Sequence, residues 1–189
     1  VVERDGHAGV PVWSVRHGDR GVLRPGRLGF ELEGASGLLD GFVMEGFDRT
    51  THLDTWRPVY GQWAEIPNRY NEMTLDLVQP DEPARKMRLI VRAYDEGAAI
   101  RYEFPEQAAL DKFTITNEHT QFRFAEDYTT WAVYSAQGRY EQVTLSQVKA
   151  NCERPLTVRL ADDLHAAVGE AALVDFARMR LRPAKGSDF

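Results

Sequence analysis

Residues 71–104 read NEMTLDLVQPDEPARKMRLIVRAYDEGAAIRYEF. Met73, Leu75 and Leu77 fall on one side of an extended chain and Thr74 and Asp76 on the other, the period of two expected of a half-buried strand. Met87, Leu89, Val91 and Ala93 repeat the pattern against Arg88, Ile90, Arg92 and Tyr94. Asp95–Glu96–Gly97 has the composition of a tight turn, and Ile100, Tyr102 and Phe104 then alternate with Arg101 and Glu103. Pattern and turn together predict a β-hairpin. Residues 79–85, QPDEPAR, form a polar, proline-containing connection ahead of it.

Immediately upstream lies WRPVYGQWAEIPNRYNE, residues 56–72, with Trp56, Tyr60, Trp63 and Tyr70 spaced around Pro58, Gly61 and Pro67. It has no clean period of 2 or 3.6, so it reads as a long loop excursion between strands. Its rings suit either a small core belonging to the loop itself or, through Trp56 and Trp63, a stacking platform for sugar. Further upstream, strands are expected over residues 11–15, 28–32 and 42–50, the last interrupted at Gly46. Turns are expected at 17–21, 34–37 and 39–41. Residues 1–9 suit disorder or a first edge strand. Downstream, short strands are expected at 113–116, 120–124, 129–134, 155–160, 163–168 and 178–182, with one short helical turn inside 105–113. So many short strands separated by Gly, Asp and Pro predict an all-β fold, a large antiparallel β-sandwich. One such domain over residues 1–182 accounts for the chain, with residues 183–189 starting a linker.

At 189 residues the chain can bury a full core. Its net charge of −6 and its dispersed arginines argue against a nucleic-acid partner. No apolar run approaches the ~18 residues of a membrane helix, and no signal-peptide pattern stands at the start. Cys152 is the single cysteine, so no internal disulfide or thiolate metal site is available.

Catalytic signatures are missing: no HExxH, GxSxG, phosphate loop or dinucleotide fingerprint. The five histidines (His7, His17, His52, His119 and His165) are far apart, which suits structural or solvated roles. Most carboxylates fall on turns or outward faces. Glu170 differs, because it lies in AAVGEAALVDF without a basic residue close in sequence. Alternation can turn it outward on a half-exposed strand. Alternatively it is a ligand for a hard cation such as calcium, with the remaining ligands supplied from elsewhere.

Three blocks in order, WRPVYGQWAEIPNRYNEMTLDL, RLIVRAYDEGAAIRYEFPEQ and GEAALVDF, resemble the N-terminal domain of glycoside hydrolase family 97. The resemblance runs over roughly residues 28–181. Its most distinctive positions are Arg92, the run from Tyr94 to Gly97, Ala99, and the run from Arg101 to Gln107. It implies a galactose-mutarotase-like super-sandwich followed by a catalytic (β/α)8 barrel and a small C-terminal β-domain. It also implies hydrolysis of α-linked gluco- or galacto-saccharides, in many members with calcium. The catalytic carboxylates of such enzymes lie in the barrel, so none is carried onto this chain. The Glu of the EAAL block is a calcium ligand in the family, and Glu170 matches it. Two positions depart from the pattern: Thr144 replaces a proline and Gly169 a histidine. The resemblance further implies export, to the periplasm or beyond. A free-standing carbohydrate-binding or scaffold sandwich is the alternative.

Overall fold

The computed structural model describes residues 2–4 and 6–184. The strands are β1 (Val2–Arg4), β2 (His7–Val10), β3 (Val12–His17), β4 (Arg20–Arg27), β5 (Phe30–Leu32), β6 (Ala35–Leu38), β7 (Val43–Trp56), β8 (Ile66–Gln79), β9 (Arg85–Ala93), β10 (Ala98–Glu103), β11 (Ile115–Glu118), β12 (Arg123–Phe124), β13 (Thr129–Ala132), β14 (Glu141–Thr144), β15 (Leu156–Ala161) and β16 (Leu164–Val168). Helical structure among the described residues is confined to single 3₁₀ turns at Ala108–Leu110 and Leu145–Gln147. The first lies inside the helical turn expected for 105–113. Among the described residues no helix is long and apolar enough to cross a membrane. The registered strand pairs are antiparallel, and the all-β expectation holds. The chain divides into two compact units, Val1–Val12 with Leu28–His119, and Trp13–Arg27 with Thr120–Phe189. Of residues 183–189, expected to start a linker, residues 185–189 lie outside the described residues.

The first unit is built on a four-stranded sheet in the order β10-β9-β8-β7 and a three-stranded sheet in the order β11-β5-β6. Alternation does what the sequence predicts. Leu77, Met87 and Leu89 are buried, while Asp76 opposes Arg88 and Glu72 opposes Arg92 on the other face. The 95–97 turn closes with the Tyr94 N–H donating to the Gly97 carbonyl at 2.8 Å. The sheets meet where the Phe30 ring packs edge-on against Tyr102, with centroids 4.6 Å apart. Buried Gln79 donates from its amide nitrogen to the Asp40 carbonyl at 2.6 Å, tying the end of β8 to the segment after β6.

The second unit pairs a three-stranded sheet, β12-β4-β3, with a four-stranded one, β14-β13-β15-β16. Leu23 and Phe124 from the first pack with Ala132, Leu156, Val158, Leu160 and Val168 from the second. Val148 and Cys152, from the connection between β14 and β15, complete this core. Thr130 is fully buried, and its hydroxyl donates to the Thr157 carbonyl at 2.5 Å.

Several boundaries need correction. Nearly half of the expected excursion over 56–72 is strand. β7 runs on to Trp56 and β8 begins at Ile66, pairing Trp56 with Ile66, so the loop proper is residues 57–65. Pairing of β8 with β9 stops at Asn71. Beyond that point β7 and β8 continue as a two-stranded ribbon, where neither face is fully covered and the alternation signal fades. The break expected at Gly46 is a bulge, a register shift between Met44 and Gly46. Residues 34–37, expected as a turn, mostly belong to β6; the turn lies at Glu33–Gly34. Residues 178–182 form no strand, only an isolated bridge between Leu181 and Cys152.

Burial ranks the side chains energetically. Leu77→Ala should cost about 2–5 kcal/mol by leaving a core cavity. Leu53→Ala on the exposed ribbon should change stability by no more than ~0.5 kcal/mol. Denaturant unfolding of both variants checks this contrast, and equal losses would contradict it.

Candidate functional site

Glu170 follows β16, where the chain leaves the sheet. Its carboxylate is 15% exposed, so the outward, solvated reading does not hold. Nor is it without a basic partner. Arg154 Nε lies 2.8 Å from Glu170 Oε2, and the Met179 N–H donates to both carboxylate oxygens at 3.2 Å. Sequence reasoning missed Arg154 because it enters from the turn before β15. Glu153, beside it, is more deeply buried at 4% exposure. Glu153 Oε2 accepts from Arg178 at 2.6 Å and from Arg154 at 3.3 Å. Arg180 Nη2 lies 2.9 Å from Oε1, without the alignment of a hydrogen bond. The signal for this cluster was present in the ERP and RMRLR runs, but the latter read as strand alternation.

A carboxylate is the right donor for calcium, which takes six to eight oxygens. Among the described residues no group of three or more His, Cys, Asp or Glu could hold a metal. Three guanidinium groups also stand around Glu153 and Glu170. The residues present do not make a self-contained metal site; of the Glu170 oxygens, Oε1 is the less engaged.

The aromatic candidates lie in the first unit, at and beside the end of the β7–β8 ribbon. Trp56 is 52% exposed and Trp63 69%, with Val59 and Tyr60 more exposed still. A small core belonging to the loop is thus excluded for these rings. Arg57 and Glu65 close the base of the loop with a hydrogen bond at 2.9 Å. Tyr70 is the exception among the four aromatics. It is buried, stacked on His52 at 4.6 Å, and lies beneath the Arg92 guanidinium at 4.4 Å. Arg92 in turn binds Glu72 at 2.7 Å, and this bond, ahead of other effects, raises its pKa.

Two further histidines also have local partners. His119 Nε2 lies 2.6 Å from Glu31 Oε1, and His165 packs beside Trp131 with centroids 6.0 Å apart. Cys152 is fully buried, and burial raises its thiol pKa.

The comparisons with known proteins agree with one another. The family model described as glycosyl-hydrolase 97 N-terminal matches residues 1–188. A probable retaining alpha-galactosidase from Streptomyces bingchenggensis (strain BCW-1) is 30% identical over 130 residues, covering 69% of this chain and 19% of that protein. A glycoside hydrolase family 97 enzyme from Pseudoalteromonas sp. strain K8 has been solved with acarbose and, as a variant, with panose. Both structures match with a TM-score of 0.85 and 26% identity over 94% of this chain and 28% of theirs. A beta-arabinopyranosidase structure shares the fold, with a TM-score of 0.74 and 20% identity over 88% of this chain and 31% of that one. The chain thus spans less than a third of the length of these relatives.

The buried thiol gives a direct check on the second unit's core. Cys152 should react with a thiol-specific disulfide reagent at pH 8 far more slowly in the folded chain than in denaturant. Equal rates would mean that this core is open.

Proposed function

The chain belongs to the glycosyl-hydrolase 97 N-terminal family, and we propose that it serves as the N-terminal domain of a calcium-dependent, exo-acting α-glycoside hydrolase. In this reading it packs on a catalytic barrel of the same polypeptide, which holds the catalytic carboxylates. The substrate class is α-linked gluco- or galacto-saccharide. The names of the relatives support this range: one is a probable alpha-galactosidase, and another was solved with panose. Export to the periplasm or beyond is part of the same proposal.

The observation that carries the reading is Glu170. It stands at the foot of residues 171–178, a segment without strand or helix in which Leu173, Val174 and Phe176 are exposed. Such a surface suits cover by another part of a longer chain. Glu170 Oε1 would be this chain's contribution to a shared calcium ion. When bound, calcium would supply charge stabilisation to the substrate or leaving group. This chain's own residues hold the carboxylate in place and wall the site.

The exposed rings of Trp56 and Trp63 favour a second reading, a free-standing carbohydrate-binding sandwich. Titration of residues 1–189 with maltooligosaccharides, followed by tryptophan fluorescence, tests it; a saturable change lost in Trp63→Ala would favour this second reading.

For the main reading, residues 1–189 alone should not cleave an aryl α-glucoside or α-galactoside, whereas the full-length parent should. In that parent, Glu170→Gln should lower activity and weaken its response to a chelator. Hydrolysis by residues 1–189, or a variant with parental kinetics with and without chelator, would overturn the assignment.

A further inference from the structure

The proposed ligand role uses one oxygen of Glu170 and leaves the surrounding charge cluster unexplained. Two carboxylates, Glu153 and Glu170, meet three guanidinium groups, those of Arg154, Arg178 and Arg180. Glu153 already has Arg178 at 2.6 Å and Arg180 at 2.9 Å. Its charge is balanced without Arg154. What Arg154 adds is a link. Its Nη1 donates to Glu153 at 3.3 Å and its Nε lies 2.8 Å from Glu170, so one planar group spans both acids. Arg154 is itself only 20% exposed.

The link fixes more than one side chain. Glu170 also accepts the Met179 N–H, which closes the segment between them. That segment has Ala172 at φ 49° and Asp175 at φ 52°, left-handed conformations that non-glycine residues seldom hold without support from their surroundings. Just beyond it, paired backbone bonds between Cys152 and Leu181, at 2.8 and 2.9 Å, anchor the chain beside Glu153.

We propose that Arg154 is a positioning residue: it pins Glu170 Oε2, leaves Oε1 to meet a cation, and holds the 171–178 segment in place. This rests on the reading of Glu170 as a calcium ligand. It differs from a purely structural ion pair because geometry, not charge, is the essential property. An ammonium carries the same charge but lacks the planar fork that binds two carboxylates at once.

The test compares the full-length parent with Arg154→Lys and Glu170→Gln. Calcium affinity is read by titration calorimetry. Loop order is read by amide hydrogen exchange over residues 171–179 in calcium-free protein. Arg154→Lys should speed exchange in that segment and weaken calcium binding about tenfold, the lower end of what loss of a supporting partner costs a metal site. Glu170→Gln should speed exchange at Met179 and weaken calcium binding further. Native exchange in Arg154→Lys would overturn the positioning role, whatever calcium does. Native calcium affinity in Glu170→Gln would overturn the ligand reading on its own, leaving exchange to judge the link between Arg154 and the loop. Faster exchange with native calcium affinity in Arg154→Lys would limit Arg154 to loop order and overturn its part in presenting Oε1.

Discussion

The backbone ladder between β7 and β8 is the constraint on which the first unit depends. Both strands have 14 residues and pair from Val43–Val78 to Trp56–Ile66. That register decides which side chains share a face. On the other side of β8 the β8–β9 ladder, held in step with it, sets Leu77 opposite Met87 on the buried side, and Asp76 opposite Arg88 on the other. A slip of one residue would turn Asp76 and Arg88 toward the core. Each cross-strand ion pair is worth only about 0.2–1 kcal/mol in its present place. Register is specified more strongly by the penalty for burying those charges if the pairing moved.

The second unit uses charge in the opposite way. Glu153 is not a surface partner but a carboxylate almost removed from water, next to a fully buried cysteine. Desolvating such a group costs several kcal/mol unless strong donors compensate. The arginines meet that need, and two of them come from a stretch with no regular structure of its own. The buried charge thereby organises residues 169–184, which a hydrogen-bonded ladder does not.

This contrast explains what the sequence disclosed. Where one strand face is buried, side-chain alternation is visible, and β9, β10 and the second half of β8 were legible almost residue by residue. Where the ribbon runs past β9, Tyr70 is the one buried side chain of β8 and its neighbours on that face, Ile66 and Asn68, are only half-buried, so the apolar period is too weak to read and β7 and β8 were cut short. Arg178, Met179, Arg180, Leu181 and Arg182 alternate well enough to suggest a strand, yet Arg178 and Arg180 are spaced to reach one buried acid. Glu170 was legible as unusual because an acid among Ala, Val and Leu needs a partner. Which partner was not, because pairing across the fold leaves no local trace, and Arg154 reads on its own as an ordinary residue before a proline.

An ion-paired carboxylate and a metal ligand are often treated as alternatives, but Glu170 has two oxygens in unequal circumstances. Oε2 faces a guanidinium at 2.8 Å, while Oε1 has only a shared amide at 3.2 Å. A guanidinium draws electron density from the carboxylate and repels a cation, which weakens a ligand. It also removes the rotational freedom that a lone glutamate would have to surrender on binding. The balance favours the pair only if orientation matters more than basicity. The proposed ligand role would meet that condition, because this chain would offer a single ligand to a site completed elsewhere, and a wandering carboxylate would be found by the cation only part of the time. The exposed Leu173, Val174 and Phe176 point the same way. The segment carrying them has no buried core of its own among the described residues, so its shape depends on the ties at its base.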